Sequence, residues 1–234
     1  LFCINSASGF AWQYTGLPKY LEGQFPIYGL QSPRPEGAIA DGANMDEACD
    51  IYLAALREVQ PTGPYHLLGY SFGGTVAHAL AARLQEAGEQ VKFLGLLDTY
   101  PPEGQDWDKP MEADDEAEID RERELFFEAN GLQTDLEDQQ QRVEMFANIK
   151  KNYEDSVRLL SGASSPYFDG QVDLYVAKQT LPEGFDIDEH WQPFLTKVDK
   201  HILDCAHGDI ISPENVSEVG KILNNLLKEK ESLA

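Results

Sequence analysis

The run Gly69-Tyr70-Ser71-Phe72-Gly73-Gly74 sets a serine between glycines two positions before it and two after it. A serine hydroxyl attacks a carbonyl well only when it projects from a strained, tight turn, and small flanking residues let the chain make that turn. The apolar run Tyr65-His66-Leu67-Leu68 comes before it. After it, Val76, Ala77, Leu80, Ala81 and Leu84 recur at helical spacing, and Gly88 is the expected terminator. This is the strand, turn and helix of a nucleophile elbow, and it makes Ser71 the candidate nucleophile of an acyl transfer. The helix beyond would turn its positive end toward a developing oxyanion. The backbone N–H of Phe72, the residue after the nucleophile, is one candidate oxyanion donor.

Such a serine needs a general base, and the chain has five histidines, His66, His78, His190, His201 and His207. His66 lies in the strand that leads to Ser71 and His78 on the helix that leaves it, so both read as structural. His190 lies in a polar loop. His201 opens the strand-like run His201 to Cys205, at the wrong end of it. His207 ends that run, is followed by Gly208 and precedes the last helix. That position suits the chain order nucleophile, acid, base, with the base after the last strand. The third member should be a buried carboxylate that orients the imidazole. Asp98 directly follows Leu94-Gly95-Leu96-Leu97; Asp186, in the loop after the next strand, is its rival, and Asp173 falls too early in its strand. A second oxyanion donor belongs in the loop after an early strand, here Ser6-Ala7-Ser8-Gly9, with Ala7 the choice. Cys205, two residues before the base, reads as packing.

Elements must carry these residues to one place. Short apolar runs at Leu1 to Ile4, Phe25 to Leu30, Tyr65 to Tyr70, Val91 to Leu97, Val172 to Val176 and His201 to Cys205 read as buried strands. Between them lie amphipathic helices. Met45, Ala48, Cys49, Tyr52, Leu53, Leu56 and Val59 share one face, with Asn44 and Glu47 as a cap pair, and a last helix follows Ser212-Pro213. Non-alternating strands separated by such helices predict an α/β fold, a mostly parallel sheet covered on both faces. One connection, between Tyr100 and Val172, is far longer than a crossover needs. It holds helical patterns near Ile119 to Ala129 and Val143 to Leu160. From Glu103 to Glu144 it carries 16 acidic and 4 basic residues. A helical lid insertion over about 101–170 is expected there, against the blander reading of a solvated decoration.

The whole chain has 234 residues and a formal charge of −23. It is long enough for one domain with an insertion, and a surface so acidic argues against nucleic-acid or membrane-surface binding. No apolar run reaches the ~20 residues of a membrane span. Three cysteines without metal-type spacing predict neither a disulfide framework nor a metal site, and a cytoplasmic setting. The opening on Leu1-Phe2-Cys3-Ile4, already strand-like and without Met, predicts a fragment of a longer polypeptide.

The stretches Ala7-Ser8-Gly9-Phe10-Ala11-Trp12, Gln31-Ser32-Pro33-Arg34-Pro35, Gly69 to Gly74, Leu96-Leu97-Asp98-Thr99 and Cys205-Ala206-His207 resemble the type I thioesterase domains of nonribosomal peptide synthetases, in particular those of enterobactin-type siderophore assembly lines. The likeness spans nearly the whole chain and is weakest in the insertion. It implies an α/β-hydrolase fold with a helical lid and a substrate delivered on the phosphopantetheine arm of an upstream peptidyl carrier domain. It implies no cofactor bound by the domain itself. It also implies a Ser acyl-enzyme, released by water or by a nucleophile of the product. The family places its acid before the lid, which favours Asp98 over Asp186. Where the family usually has His-Pro before the oxyanion-loop Ala, this chain has Asn5-Ser6, a departure that bears on how the loop holds Ala7. A stand-alone proofreading thioesterase, a generic esterase and a non-catalytic binding module are the alternatives. The last should lack a triad member, and Ser71, Asp98 and His207 are all present.

Overall fold

The computed structural model describes residues 1–22, 25–32, 43–105, 119–120, 136–181 and 184–232, with side chains from 147 onward in the helix that begins at 136. Six strands form one sheet among these residues: β1 (Phe2–Ile4), β2 (Tyr28–Leu30), β3 (Tyr65–Tyr70), β4 (Val91–Leu97), β5 (Phe168–Ala177) and β6 (Leu195–Leu203). Their order is β2-β1-β3-β4-β5-β6, and every neighbouring pair is parallel. All the C-terminal strand ends therefore meet along one edge. The order reverses between β1 and β3, which opens a crevice at that edge where α/β proteins hold their ligands.

Helices α1 (Met45–Val59) and α2 (Phe72–Glu86) cover one face of the sheet. Met45, Ala48, Cys49, Tyr52, Leu53 and Leu56 of α1 pack with Val76, Leu80 and Leu84 of α2 on Ile4, Leu67, Leu94, Leu96 and Leu174. The expected cap of α1 is present: Asn44 accepts from the Glu47 N–H, and Glu47 accepts from the Asn44 N–H. The other face is covered by the 3-10 turn Trp12–Gly16 and by α5 (Val216–Ser232). Tyr14, Leu17, Val216, Val219, Leu223 and Leu227 there meet Cys3, Leu68, Phe93, Leu97 and Tyr175. Strands buried on both faces need near-continuous apolar runs, and β3 and β4 supply them apart from the half-buried His66 and Lys92. Cys3, Cys49 and Cys205 are free and buried; burial pushes the Cys3 and Cys49 thiols up to about 12.

Three elements differ from the sequence expectation. The last strand runs over Leu195–Leu203 rather than from His201 to Cys205. It is an edge strand whose Lys197, Asp199 and Lys200 face water and hide its apolar pattern. His201 thus lies near the end of β6 and does not open it. The segment from Phe25 to Ile27 lies outside β2. A short helix α4 (Ile187–Trp191) stands where a loop is expected, capped by Asp186 through the Asp188 N–H. Helix α3 (Leu136–Ser161) lies between β4 and β5. The helical pattern from Ile119 to Ala129 falls almost wholly outside the described residues, as does most of the acidic run.

Candidate active site

β3 ends at Tyr70 and α2 begins at Phe72, so Ser71 alone turns the chain, at φ 54° and ψ −122°. The glycines make that turn sterically possible. A Cβ on Gly69 would overlap the Gly73 carbonyl, and one on Gly73 would lie 2.7 Å from the Ile4 carbonyl oxygen. The turn is held from the neighbouring strands. The Ser71 N–H donates to the Leu97 carbonyl at 3.0 Å. The Tyr14 hydroxyl donates to the Ile4 carbonyl at 2.8 Å and accepts from the Tyr70 N–H at 2.9 Å, joining β1 to β3 just before the turn.

Asp98 occupies the corresponding place after β4. It is 1% exposed and has a positive φ of 42°. One carboxylate oxygen, Oδ1, accepts from the Ala177 N–H at 2.8 Å, at the end of β5; the other lies 2.6 Å from His207 Nδ1. A carboxylate only accepts, so the Nδ1 proton points at Asp98 and leaves Nε2 to exchange protons with a substrate or nucleophile. The Tyr100 hydroxyl also donates to Oδ1, at 3.3 Å. Asp98 follows β4 and His207 follows β6, so the pair bridges the end of β5 between them.

His207 is fixed on several sides. The Thr180 hydroxyl accepts from its N–H at 3.0 Å, and its carbonyl accepts from the Tyr70 hydroxyl at 3.1 Å. The Tyr70 ring lies 4.9 Å from the imidazole, tilted by 32°. Ser71, Asp98 and His207 line one cavity of about 420 Å³, with Phe72, Tyr100, Leu160, Phe185 and His190 among its other walls.

The remaining candidates separate by their partners. His190 reaches the cavity, but its Nδ1 bonds the Asp186 carbonyl at 2.8 Å and it stacks on Phe185, with no carboxylate partner of this kind among the described residues. Asp186 serves as the cap of α4. His201 and Asp173 pair with each other at 3.1 Å, between β6 and β5 and outside the cavity lining. His66 and His78 are structural in surroundings: burial lowers each to about 4.

Phe72 opens α2 and is buried, and Ala7 follows β1 in a turn where the Gly9 N–H donates to the Ser6 carbonyl at 3.0 Å. Neither the Phe72 nor the Ala7 N–H donates to an acceptor among the described residues. The Asn5-Ser6 departure has a structural counterpart. The Tyr52 hydroxyl donates to Asn5 Oδ1 at 2.7 Å, and Asn5 Nδ2 donates to the Ser6 carbonyl at 2.8 Å.

Comparison with known proteins gives the assembly a family. The family model described as "Thioesterase domain" matches residues 1–227. The chain belongs to that family. This thioesterase domain is 60% identical over 233 residues to vanchrobactin synthetase VabF of Vibrio anguillarum and 48% identical over 231 residues to enterobactin synthase component F of Escherichia coli (strain K12). The matches take in 100% and 97% of the chain but only 8% and 17% of those two synthetases. The crystal structure of the NocB thioesterase domain from the nocardicin cluster is 22% identical; the match covers 97% of this chain and 92% of that one, with a TM-score of 0.72. That likeness carries the α/β-hydrolase fold.

Several positioning residues of the thioesterase domain escaped the sequence reading. Tyr14, Tyr52, Asn5, Thr180 and Trp191, whose Nε1 donates to the Thr99 carbonyl at 3.0 Å, act across long chain separations. A tyrosine in an apolar helical stripe looks like core, and Tyr52 is core on all but its hydroxyl. The Asn5-Ser6 departure was the one signal that pointed to this set.

Proposed function

We propose that this domain releases a peptidyl or aminoacyl chain from a carrier-bound thioester through an acyl-enzyme on Ser71. The observation that carries the reading is the 2.6 Å contact between His207 Nδ1 and Asp98 Oδ2, beside the elbow serine in one cavity. His207 Nε2 takes the Ser71 proton as Oγ attacks the thioester carbonyl, and Asp98 stabilises the imidazolium that forms. The carbonyl oxygen gains charge and is met by the Phe72 and Ala7 N–H groups. Collapse of the tetrahedral intermediate breaks the C–S bond, and the imidazolium protonates the departing thiolate. Water, or a nucleophile of the acyl chain itself, then attacks the ester, with His207 again as base.

The thiol belongs to the phosphopantetheine arm of a peptidyl carrier domain, for which the synthetase relatives are the support. The domain itself needs no cofactor for these steps. The segment between β4 and β5 acts as the lid. In support, Tyr100, Pro101, Gly104, Gln105 and Leu160 from that segment line the cavity. The product is a nonribosomal peptide of the siderophore type, as the relatives' names suggest.

Intact-protein mass spectrometry after exposure to an acyl-pantetheine thioester or a fluorophosphonate tests the assignment. One adduct on the native chain and none on Ser71→Ala is expected. Equal labelling of Ser71→Ala would overturn it.

A further inference from the structure

The turn that carries Ala7 is gripped from two sides. From the core, Asn5 Nδ2 and the Gly9 N–H both donate to the Ser6 carbonyl, at 2.8 and 3.0 Å. The C=O and N–H of a trans peptide point in opposite directions, so fixing the Ser6 carbonyl fixes where the Ala7 N–H points. From the lid segment, α3 holds the next two carbonyls. Asn152 Nδ2 donates to the Ser8 carbonyl at 2.8 Å, and the Ser156 hydroxyl donates to the Ala7 carbonyl at 3.2 Å. Asn152 and Ser156 stand one helical turn apart on the same face of α3, and both are buried. Gly9, at φ +85°, leaves the space that the Asn152 amide fills; a Cβ there would lie 2.7 Å from its Cγ. Three successive peptide planes are thus locked, one by the core and two by a helix more than 140 residues away in the chain.

We propose that Asn152 and Ser156 are positioning residues for the oxyanion hole, and that acyl transfer is fast only while α3 is seated on the Ser6–Phe10 turn. The proposal rests on the Ser71 and Ala7 roles argued above. With α3 lifted, the Ala7 and Ser8 carbonyls lose the side-chain donors of Ser156 and Asn152. The turn keeps its own bonds, Ser6 Oγ to Ser8 Oγ at 2.9 Å, the Phe10 N–H to Ser8 Oγ at 3.4 Å and the Ser32 N–H to the Gly9 carbonyl at 2.8 Å, so it persists but aims the Ala7 N–H less closely. The seat is also built to be left. Asn152 Oδ1 is buried with no partner among the described residues, and burying an unmet acceptor offsets much of what the Nδ2 bond contributes. Such a contact registers that the helix is down without locking it there.

The test compares Asn152→Leu, which keeps the volume and removes the donor, with Ser156→Ala and Ser156→Thr in the same domain. Turnover of an acyl-pantetheine thioester gives kcat and KM. Inhibition by an alkyl boronic acid, which forms a tetrahedral adduct on the nucleophilic serine, reports the oxyanion hole directly. Thermal melts report the fold. Asn152→Leu should lower kcat about 10- to 100-fold, less than outright loss of an oxyanion donor. KM should stay within about twofold, and boronate affinity should fall in proportion to kcat/KM. Ser156→Ala should lose several-fold in kcat, and Ser156→Thr should restore most of it. Wild-type kcat and boronate affinity in both Asn152→Leu and Ser156→Ala, with Ser71 still labelled by fluorophosphonate, would overturn this proposal alone. Equal labelling of Ser71→Ala would instead remove the reading beneath it. A loss of kcat that the melts fully account for, with boronate affinity intact, would reduce α3 to a structural part.

Discussion

Two of the three residues assigned to the chemistry sit at positive φ, Ser71 at 54° and Asp98 at 42°, and no other non-glycine residue among those described does so. Such conformations persist only where the surroundings impose them, at about 1–3 kcal/mol each. Here the ends of β4 and β5 impose them, through the Ser71 N–H bond to the Leu97 carbonyl and the Asp98 N–H bond to the Tyr175 carbonyl. Ser71→Gly should therefore raise thermal stability by about 1 kcal/mol over Ser71→Ala, since glycine takes positive φ without a Cβ clash while both variants lose the hydroxyl. Equal melting temperatures would mean that the elbow stores no strain. Asp98 tests the other half of the pair. Its two oxygens each accept from a fixed donor, the Ala177 N–H and His207 Nδ1–H. In Asp98→Asn one of those donors must face an NH₂ group, and satisfying Ala177 turns that group toward His207 and selects the wrong tautomer. Turnover should drop by up to about ten-thousand-fold with the fold retained, as circular dichroism would show. A harmless Asp98→Asn beside a damaging Asp186→Asn would move the acid one strand later.

At the scale of elements, the turn between β3 and α2 depends on close backbone packing. Gly69 faces the Gly73 carbonyl, and Gly73 faces the end of β1. Gly69→Ala must push the elbow off the sheet, and urea unfolding should show a loss of about 3 kcal/mol with little change in m. An unchanged midpoint would show that the turn has room to spare. This packing is why the candidate site was legible in the sequence: Ser71 came with its glycines, Asp98 directly followed an apolar strand, and His207 stood between the last strand and the last helix. β3 and β4 were legible for the same reason, being buried on both faces. β6 was misread because this edge strand carries Thr196, Lys197, Asp199 and Lys200 across both of its faces, which breaks the apolar run. α4 is only five residues long, too short for a helical period to register. The Tyr52–Asn5 and Asn152–Ser8 bonds join residues 47 and 144 positions apart, and no local pattern encodes such a pair. The Asn5-Ser6 sequence marked the loop around Ala7 as a departure, but nothing local to it named Tyr52 of α1 or Asn152 and Ser156 of α3 as its partners.

Across the whole molecule, 41 acidic residues face 18 basic ones, and two histidines are kept neutral inside this acidic shell. Burial lowers His66 and His78 to about 4, against an ordinary value of 6.5. The native state binds fewer protons on these groups than the unfolded chain does between those two values. Stability therefore falls as pH drops from about 6.5 toward 4, by up to about 1.4 kcal/mol per pH unit for the fully buried His78 and by less for His66, which solvent and Glu231 partly screen. Above pH 7 both are neutral in either state and the slope from them vanishes. His78 is the cleaner probe. It is fully buried, with its ring edge-to-face against Trp191 at 5.0 Å, whereas His66 lies 3.3 Å from Glu231, which also pairs with Lys92. His78→Phe keeps an aromatic ring against Trp191 and removes the titration. The variant's melting temperature at pH 7 can shift either way with the repacking; the decisive quantity is the change between pH 7 and pH 5. Wild-type protein should lose stability over that interval, and His78→Phe should lose distinctly less. The melts must share one ionic strength, because salt screens the repulsion of a −23 chain and raises stability at every pH in both proteins. Identical pH slopes for the two would mean that His78 accepts its proton as readily in the core as in the unfolded chain, which would rule out burial as what keeps it neutral.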